Sequence, residues 1–162
     1  MNKCSVAIFE KKDEKCVFVC DETSRELDPY ETIYEFKKNK LVVKDSDGNV
    51  YSGWFEALKH FSTCEPRAWI MFSVYYDLRE RGRMLKTGPL PNSFTMYKGP
   101  KPESLIIVLE ETVKFKVEEI FRWIETAKRM NRDCILAIVD KHGDVSYYQL
   151  EMAGVGELSL LT

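Results

Sequence analysis

Two short, unbroken apolar runs, Leu105 to Leu109 and Cys134 to Val139, flank a segment with the period of a helix. Val117, Ile120, Phe121, Ile124 and Ala127 share one helical face and predict a helix from about Lys116 to Met130. An apolar run with no polar alternation reads as a strand buried on both faces. A helix held between two such strands must pack on the sheet they form. Around this unit, Arg83 to Lys86 and Ser93 to Tyr97 read as strands, joined by the loop Thr87-Gly88-Pro89-Leu90-Pro91. Lys98-Gly99-Pro100-Lys101-Pro102 is a proline-rich turn, Asp140-Lys141-His142-Gly143-Asp144 a second turn, and Val145 to Met152 a paired strand. The order strand, strand, helix, strand, strand predicts an α+β domain with a mixed β-sheet and a helix packed on one face.

The first half is organised differently. Cys4 to Phe9 and Lys15 to Cys20 read as strands around the charged turn Glu10 to Glu14, a hairpin without glycine. Asp28-Pro29-Tyr30-Glu31 is a helix start, with Asp28 as cap and Pro29 at the first helical position. The helix is expected from Pro29 to about Lys38, with Tyr30, Ile33, Tyr34 and Lys37 on one face. Leu41 to Val43 follows as a short strand, then a turn, then a short helix from about Trp54 to Phe61. Pro66 opens a long apolar helix, buried on more than one side, which Gly82 is placed to end. The expectation is a small N-terminal α/β domain over residues 1–64. A second domain over 65–162, with the mixed β-sheet and packed helix, follows it, with residues 65–82 as the connecting helix.

Charge narrows the function. Formal net charge is −2 and the pI near 5.8, so the chain lacks the basic excess of a domain that binds nucleic acid alone. RNA contact is then local, or shared with a more basic partner. The start of the chain shows no secretory pattern, and the longest apolar stretch, from Ala68 through Tyr76, is too short to span a bilayer. The expectation is a cytoplasmic protein without membrane attachment.

Five cysteines, Cys4, Cys16, Cys20, Cys64 and Cys134, form an odd and scattered set, unlike a disulfide framework. Period-two alternation puts Cys16, Phe18 and Cys20 on one strand face, and the expectation is buried free thiols rather than half of a metal site. Asp45-Ser46-Asp47-Gly48-Asn49 opens like a calcium loop but lacks the glutamate at the twelfth position and the flanking helices. Neither a metal nor a cofactor is expected.

Val74-Tyr75-Tyr76-Asp77-Leu78-Arg79-Glu80-Arg81-Gly82, continuing to Lys86-Thr87-Gly88, resembles the signature joining the two domains of archaeal tRNA-splicing (tRNA-intron) endonucleases. Leu27 to Tyr34 with Lys40 to Val43 is similar to that family's amino-domain helix and strand. Ile135 to Asp140 with Gly143 to Tyr148 is similar to its late hairpin. The three stretches cover most of the chain in the family's order.

The resemblance implies metal-free cleavage of a bulge–helix–bulge in precursor tRNA, by attack of a ribose 2′-hydroxyl on the adjacent phosphate. That chemistry needs a base, an acid and a cation, which the family supplies as Tyr, His and Lys. Tyr97 falls at the family's tyrosine. Glu103 stands nearest the histidine, in Pro102-Glu103-Ser104 ahead of the apolar strand, and a carboxylate there repels the substrate phosphate. Arg132 lies at the lysine, and arginine is no equivalent of lysine at a tightly set site. Glu125, in Glu125-Thr126-Ala127, stands where the family has a base-gripping arginine. The fold signature is kept while the acid–base set is dismantled, so Tyr97, Glu103 and Arg132 read as vestigial positions and no catalytic residue is assigned.

The resemblance therefore implies a structural subunit that works with a catalytic endonuclease subunit, two copies of each, on precursor tRNA. Glu151 and Glu157 bound a short version of the family's acidic insertion loop, and Leu158, Leu160 and Leu161 form a tail suited to strand pairing with another chain. Arg79, Arg81, Arg83 and Lys86 are candidate phosphate contacts or a solvated helix end. Two other readings stay open: an active endonuclease subunit using Tyr97, Arg132 and an acid the sequence does not reveal, and an RNA-independent assembly protein that keeps only the fold.

Overall fold

The computed structural model describes residues 4–152. The chain divides into two units, Met1–Tyr76 and Asp77–Thr162. Together they give the mixed α+β content expected.

In the first unit, β1 (Val6–Lys12) and β2 (Lys15–Cys20) form an antiparallel hairpin, β3 (Glu26–Leu27) pairs with β2, and β4 (Val42–Lys44) lies parallel to β1. The sheet order is β3-β2-β1-β4. The hairpin runs further than its charges suggest, with Lys11 opposite Cys16 and Lys12 opposite Lys15. Its glycine-free turn closes because Asp13 takes the left-handed conformation at φ 58°, which a short polar side chain tolerates. Helix α1 (Pro29–Lys37) begins where Asp28 accepts hydrogen bonds from the amides of Tyr30 and Glu31 at 3.0 and 3.2 Å. Tyr30, Ile33 and Tyr34 are buried, as the spacing requires. Helix α2 (Trp54–Phe61) buries Ala57, Leu58 and Phe61.

The cysteines depart from expectation. Cys4 is bonded to Cys20 and Cys16 to Cys64, leaving Cys134 as the free thiol among the described residues. Alternation does place Cys16 and Cys20 on the buried face of β2. Their partners come from the segments before β1 and after α2, which only the tertiary fold brings alongside. Linear spacing carried no sign of it.

Helix α3 (Ala68–Glu80) runs across the division between the units. It ends at Gly82, φ 83°, where the Arg83 amide reaches back to the Leu78 carbonyl at 2.9 Å. No helix among the described residues is long and apolar enough to cross a membrane.

The second unit is a five-stranded sheet in sequence order: β5 (Met84–Thr87), β6 (Ser93–Lys98), β7 (Lys101–Glu110), β8 (Asp133–Val139) and β9 (Val145–Leu150). Neighbours are antiparallel except β7 and β8, which are parallel and joined by α4 (Val117–Arg129). A parallel pair needs such a crossover. Leu105, Ile107 and Leu109 of β7 and Cys134 and Leu136 of β8 pack beneath Trp123 and Ala127 of α4. The β5–β6 connection needs Gly88, because a Cβ there would press on the backbone of Ser93, 3.0 Å away.

One boundary matters for the site. β7 begins at Lys101, so Pro102, Glu103 and Ser104 are strand residues and not a loop ahead of the apolar run. Tyr97 pairs with Pro102 and Met96 with Ser104, which leaves Glu103 as the extra residue of a β-bulge. The bulge admits a proline and a charge into a strand that apolar pattern alone would start at Leu105.

Candidate functional site

The end of the sheet where β6 finishes and β7 and β8 begin gathers the three residues singled out for chemistry. Tyr97 is the penultimate residue of β6, Glu103 sits in the β7 bulge, and Arg132 immediately precedes β8. Parallel pairing of β7 and β8 puts their starts side by side, and antiparallel pairing brings the end of β6 to them.

Arg132 is positioned by the end of α4. Asn131 turns left-handed at φ 57°, and the Arg132 amide bonds the Ala127 carbonyl at 2.9 Å, a helix stop that asparagine serves well. The Arg132 Nη1 then donates to Thr95 Oγ1 of β6 at 3.1 Å. Its Nε is buried with no protein acceptor among the described residues. Thr95 is itself buried and lies opposite both Lys86 on β5 and Leu105 on β7. Cross-strand partners share a face, so Lys86, Thr95 and Tyr97 stand on the side of the sheet that carries α4. The Lys86 ammonium lies 5.6 Å from the Tyr97 ring centroid.

This end of the sheet therefore offers a half-buried phenol with a lysine beside it and a guanidinium tied to a threonine. No imidazole joins them. His142 lies in the turn at the opposite end of β8, and His60 belongs to the first unit, where its Nδ1 meets the Tyr51 hydroxyl at 2.9 Å. The set can neutralise negative charge and supply a phenolic hydroxyl. It lacks a group that readily both takes and gives a proton near neutral pH.

Beside it, a groove of about 770 Å³ opens between α4 and the ends of β8 and β9, with Arg132, Glu125, Lys128 and Asp133 along it. Glu125 is exposed and paired with Arg129 at 3.7 Å, one helical turn on. Cys134 borders the groove, but burial pushes its thiol up to about 11, so it is no thiolate nucleophile at neutral pH.

The arginine cluster disperses. Arg81 binds Asp77 at 3.2 Å and lies 5.7 Å over the Tyr147 ring, while the Tyr147 hydroxyl donates to the same Asp77 carboxylate at 2.6 Å. Burial first, then the Asp77 hydrogen bond, raises the Tyr147 pKa above that of a free phenol. Arg79 is partly buried in the last turn of α3, Arg83 is exposed beyond it, and Lys86 stands at Tyr97. The Asp77–Arg81–Tyr147 knot went unread in the sequence. The i,i+4 spacing of Asp77 and Arg81 was a signal for half of it; Tyr147, 70 residues from Asp77, gave none.

Of the tail residues, Glu151 is exposed after β9, whereas Glu157, Leu158, Leu160 and Leu161 lie outside the described residues. The calcium-like turn is closed on itself. Asp45 accepts from the amides of Asp47 and Asn49, both at 2.9 Å, and the Asn49 bond leads in holding its carboxyl below the usual range.

The family described as tRNA intron endonuclease, catalytic C-terminal domain, matches residues 68–147. An EndA-like protein of Methanopyrus kandleri is 29% identical over 76% of this chain and 74% of its own length. A tRNA-splicing endonuclease of Methanococcus vannielii is 27% identical over 74% of this chain and 71% of its own. A tRNA-splicing endonuclease of Pyrococcus horikoshii is 34% identical over 51% of this chain and 50% of its own. Through its second unit and the signature that leads into it, the chain belongs to the tRNA-intron endonuclease family.

Proposed function

We propose that this chain is a structural, non-catalytic subunit of a heteromeric tRNA-splicing endonuclease. It supports metal-independent cleavage of precursor tRNA at bulge–helix–bulge intron boundaries by a catalytic partner chain. The single observation that carries the reading is the composition of the β6–β7–β8 sheet end. A phenol and a guanidinium stand there without an imidazole, and Glu103 occupies a strand bulge where an acid or base would be wanted. Arg132 is held by Thr95, a structural use of the cation. Glu125 on α4, bound to Arg129, puts a negative charge where a base-gripping cation would serve RNA.

Two further observations support a role in assembly. β9 is the edge strand of its sheet among the described residues and leaves one side open to pairing. The chain's net charge of −2 suits a component that leaves most phosphate contact to a more basic partner. Two copies of this chain with two catalytic chains, in the cytoplasm, is the assembly this reading takes.

The rival reading, an active subunit, draws on Lys86, whose ammonium stands by Tyr97 and can replace a missing cation. Tyr97→Phe separates the two. In the reconstituted assembly, the structural reading expects the cleavage rate of Tyr97→Phe to stay within about twofold of wild type. Loss of a reacting group costs roughly 100-fold or more, and a drop of that size would assign Tyr97 to a working site.

A further inference from the structure

The first unit carries a feature that cleavage chemistry does not use. Trp54 and Phe55 at the start of α2 and Trp69 and Phe72 at the start of α3 form one run of aromatic contacts. Trp54 stacks on Phe72 with centroids 5.5 Å apart and planes 26° apart, which makes the inner layer. Phe55 and Trp69 form the outer layer, 5.1 Å apart, and remain 57% and 38% exposed. Neighbouring exposed rings of this size are uncommon on a surface without a binding role.

The charges around the rings say what covers them. Lys37 holds its ammonium 4.2 Å from the Trp54 centroid and 5.0 Å from that of Tyr76. Lys59 lines, with Trp54 and Phe55, a hollow of about 310 Å³. The one carboxylate lining that hollow, Glu56, accepts a hydrogen bond from the Ser52 hydroxyl at 2.8 Å. Aromatic faces bordered by ammonium groups match a ligand that alternates flat π-systems with negative charge. Unpaired nucleotides have that chemistry: their bases stack on aromatic rings, and their phosphates meet cations. An apolar protein segment would leave the lysines without a counter-charge.

We propose that the Phe55–Trp69 ridge, with Lys37 and Lys59, is a stacking site for unpaired nucleotides of RNA. The site belongs to the first unit and lies outside residues 68–147 except for Trp69 and Phe72. It gives a chain of acidic pI a local RNA contact. Its test reads binding by the full chain and is independent of whether the subunit cleaves or assembles.

The probe is a labelled ten-nucleotide single-stranded oligoadenylate RNA, compared with the same strand annealed to its complement, by fluorescence anisotropy at two salt concentrations. The full chain is expected to bind the single strand more tightly than the duplex, with quenching of tryptophan emission. Phe55→Leu with Trp69→Leu keeps apolar side chains at exposed positions, and a circular dichroism melt confirms that the fold is retained. This pair should weaken single-strand binding roughly tenfold or more, since each lost base–ring stack is worth a large factor. Lys37→Gln with Lys59→Gln should flatten the salt dependence. Equal binding by the leucine pair, equal affinity for the duplex, or no binding by wild type overturns the proposal. So does a leucine pair that binds RNA normally but no longer joins the catalytic chain, which would make the ridge a protein interface.

Discussion

Asp77 shows how one side chain serves a whole signature. It accepts the Tyr147 hydroxyl and the Arg81 guanidinium together, tying the end of α3 to β9. A hydrogen bond to a charged acceptor contributes more than one between neutral groups. Tyr147→Phe should therefore destabilise the protein by about 1–2 kcal/mol in urea unfolding, and a change below a few tenths would show that solvent replaces the bond. Titration gives a second residue-scale expectation. Tyr51 is pushed up to about 12, mostly by burial, and Tyr30 and Tyr147 are also raised. A phenol whose folded pKa exceeds its unfolded value stabilises fully below the unfolded value, about 10, and loses that contribution as pH rises toward the folded one. The melting temperature should hold up to about pH 10 and fall above it, less steeply in Tyr51→Phe. An unchanged slope in that variant would assign the alkaline loss elsewhere. The local signals at Asp28, Gly82 and Ile33 were legible in the sequence because each acts through neighbours within a turn or two. Arg132 was legible as a position but not as a partner of Thr95, since that contact spans 37 residues.

At the scale of elements, β2 is the most constrained strand of the first unit. One disulfide ties it to Cys4, 16 residues from Cys20, and another to Cys64, 48 residues from Cys16. Cross-links of this kind typically add about 2–4 kcal/mol each by restricting the unfolded chain. Thiol alkylation of the denatured, unreduced protein should modify Cys134 alone, and all five cysteines after reduction. Reductant should also lower the melting temperature by several degrees. Five modified thiols without reduction would show that neither bridge forms. The element order was readable because apolar runs, helical period and turn residues agreed along the chain. The limits of strands were less so. β1 carries its ladder through charged residues to Lys12, and β7 starts at Lys101 because a bulge accommodates Glu103. Both depend on a partner strand's register, which no single segment states.

For the whole molecule, the family match runs through the second unit, and one end of that unit's sheet carries Tyr97, Glu103 and Arg132. The family was legible because the signature around Asp77, Gly82 and Gly88 is local and each residue has a structural duty: an ion pair with Arg81, a helix end, a close approach. The proposed role rests on the residues Glu103 and Glu125, whose charge matters only against a substrate or partner that a single chain's sequence does not describe. If cutting and assembly are divided between two chains, as proposed, mixing them reveals it. A bulge–helix–bulge RNA is incubated without added metal with this chain alone, with a candidate catalytic chain alone, and with both. The mixture should cleave the RNA, and this chain alone should not. Cleavage by this chain alone would contradict that division and return Tyr97 and Arg132 to a working site.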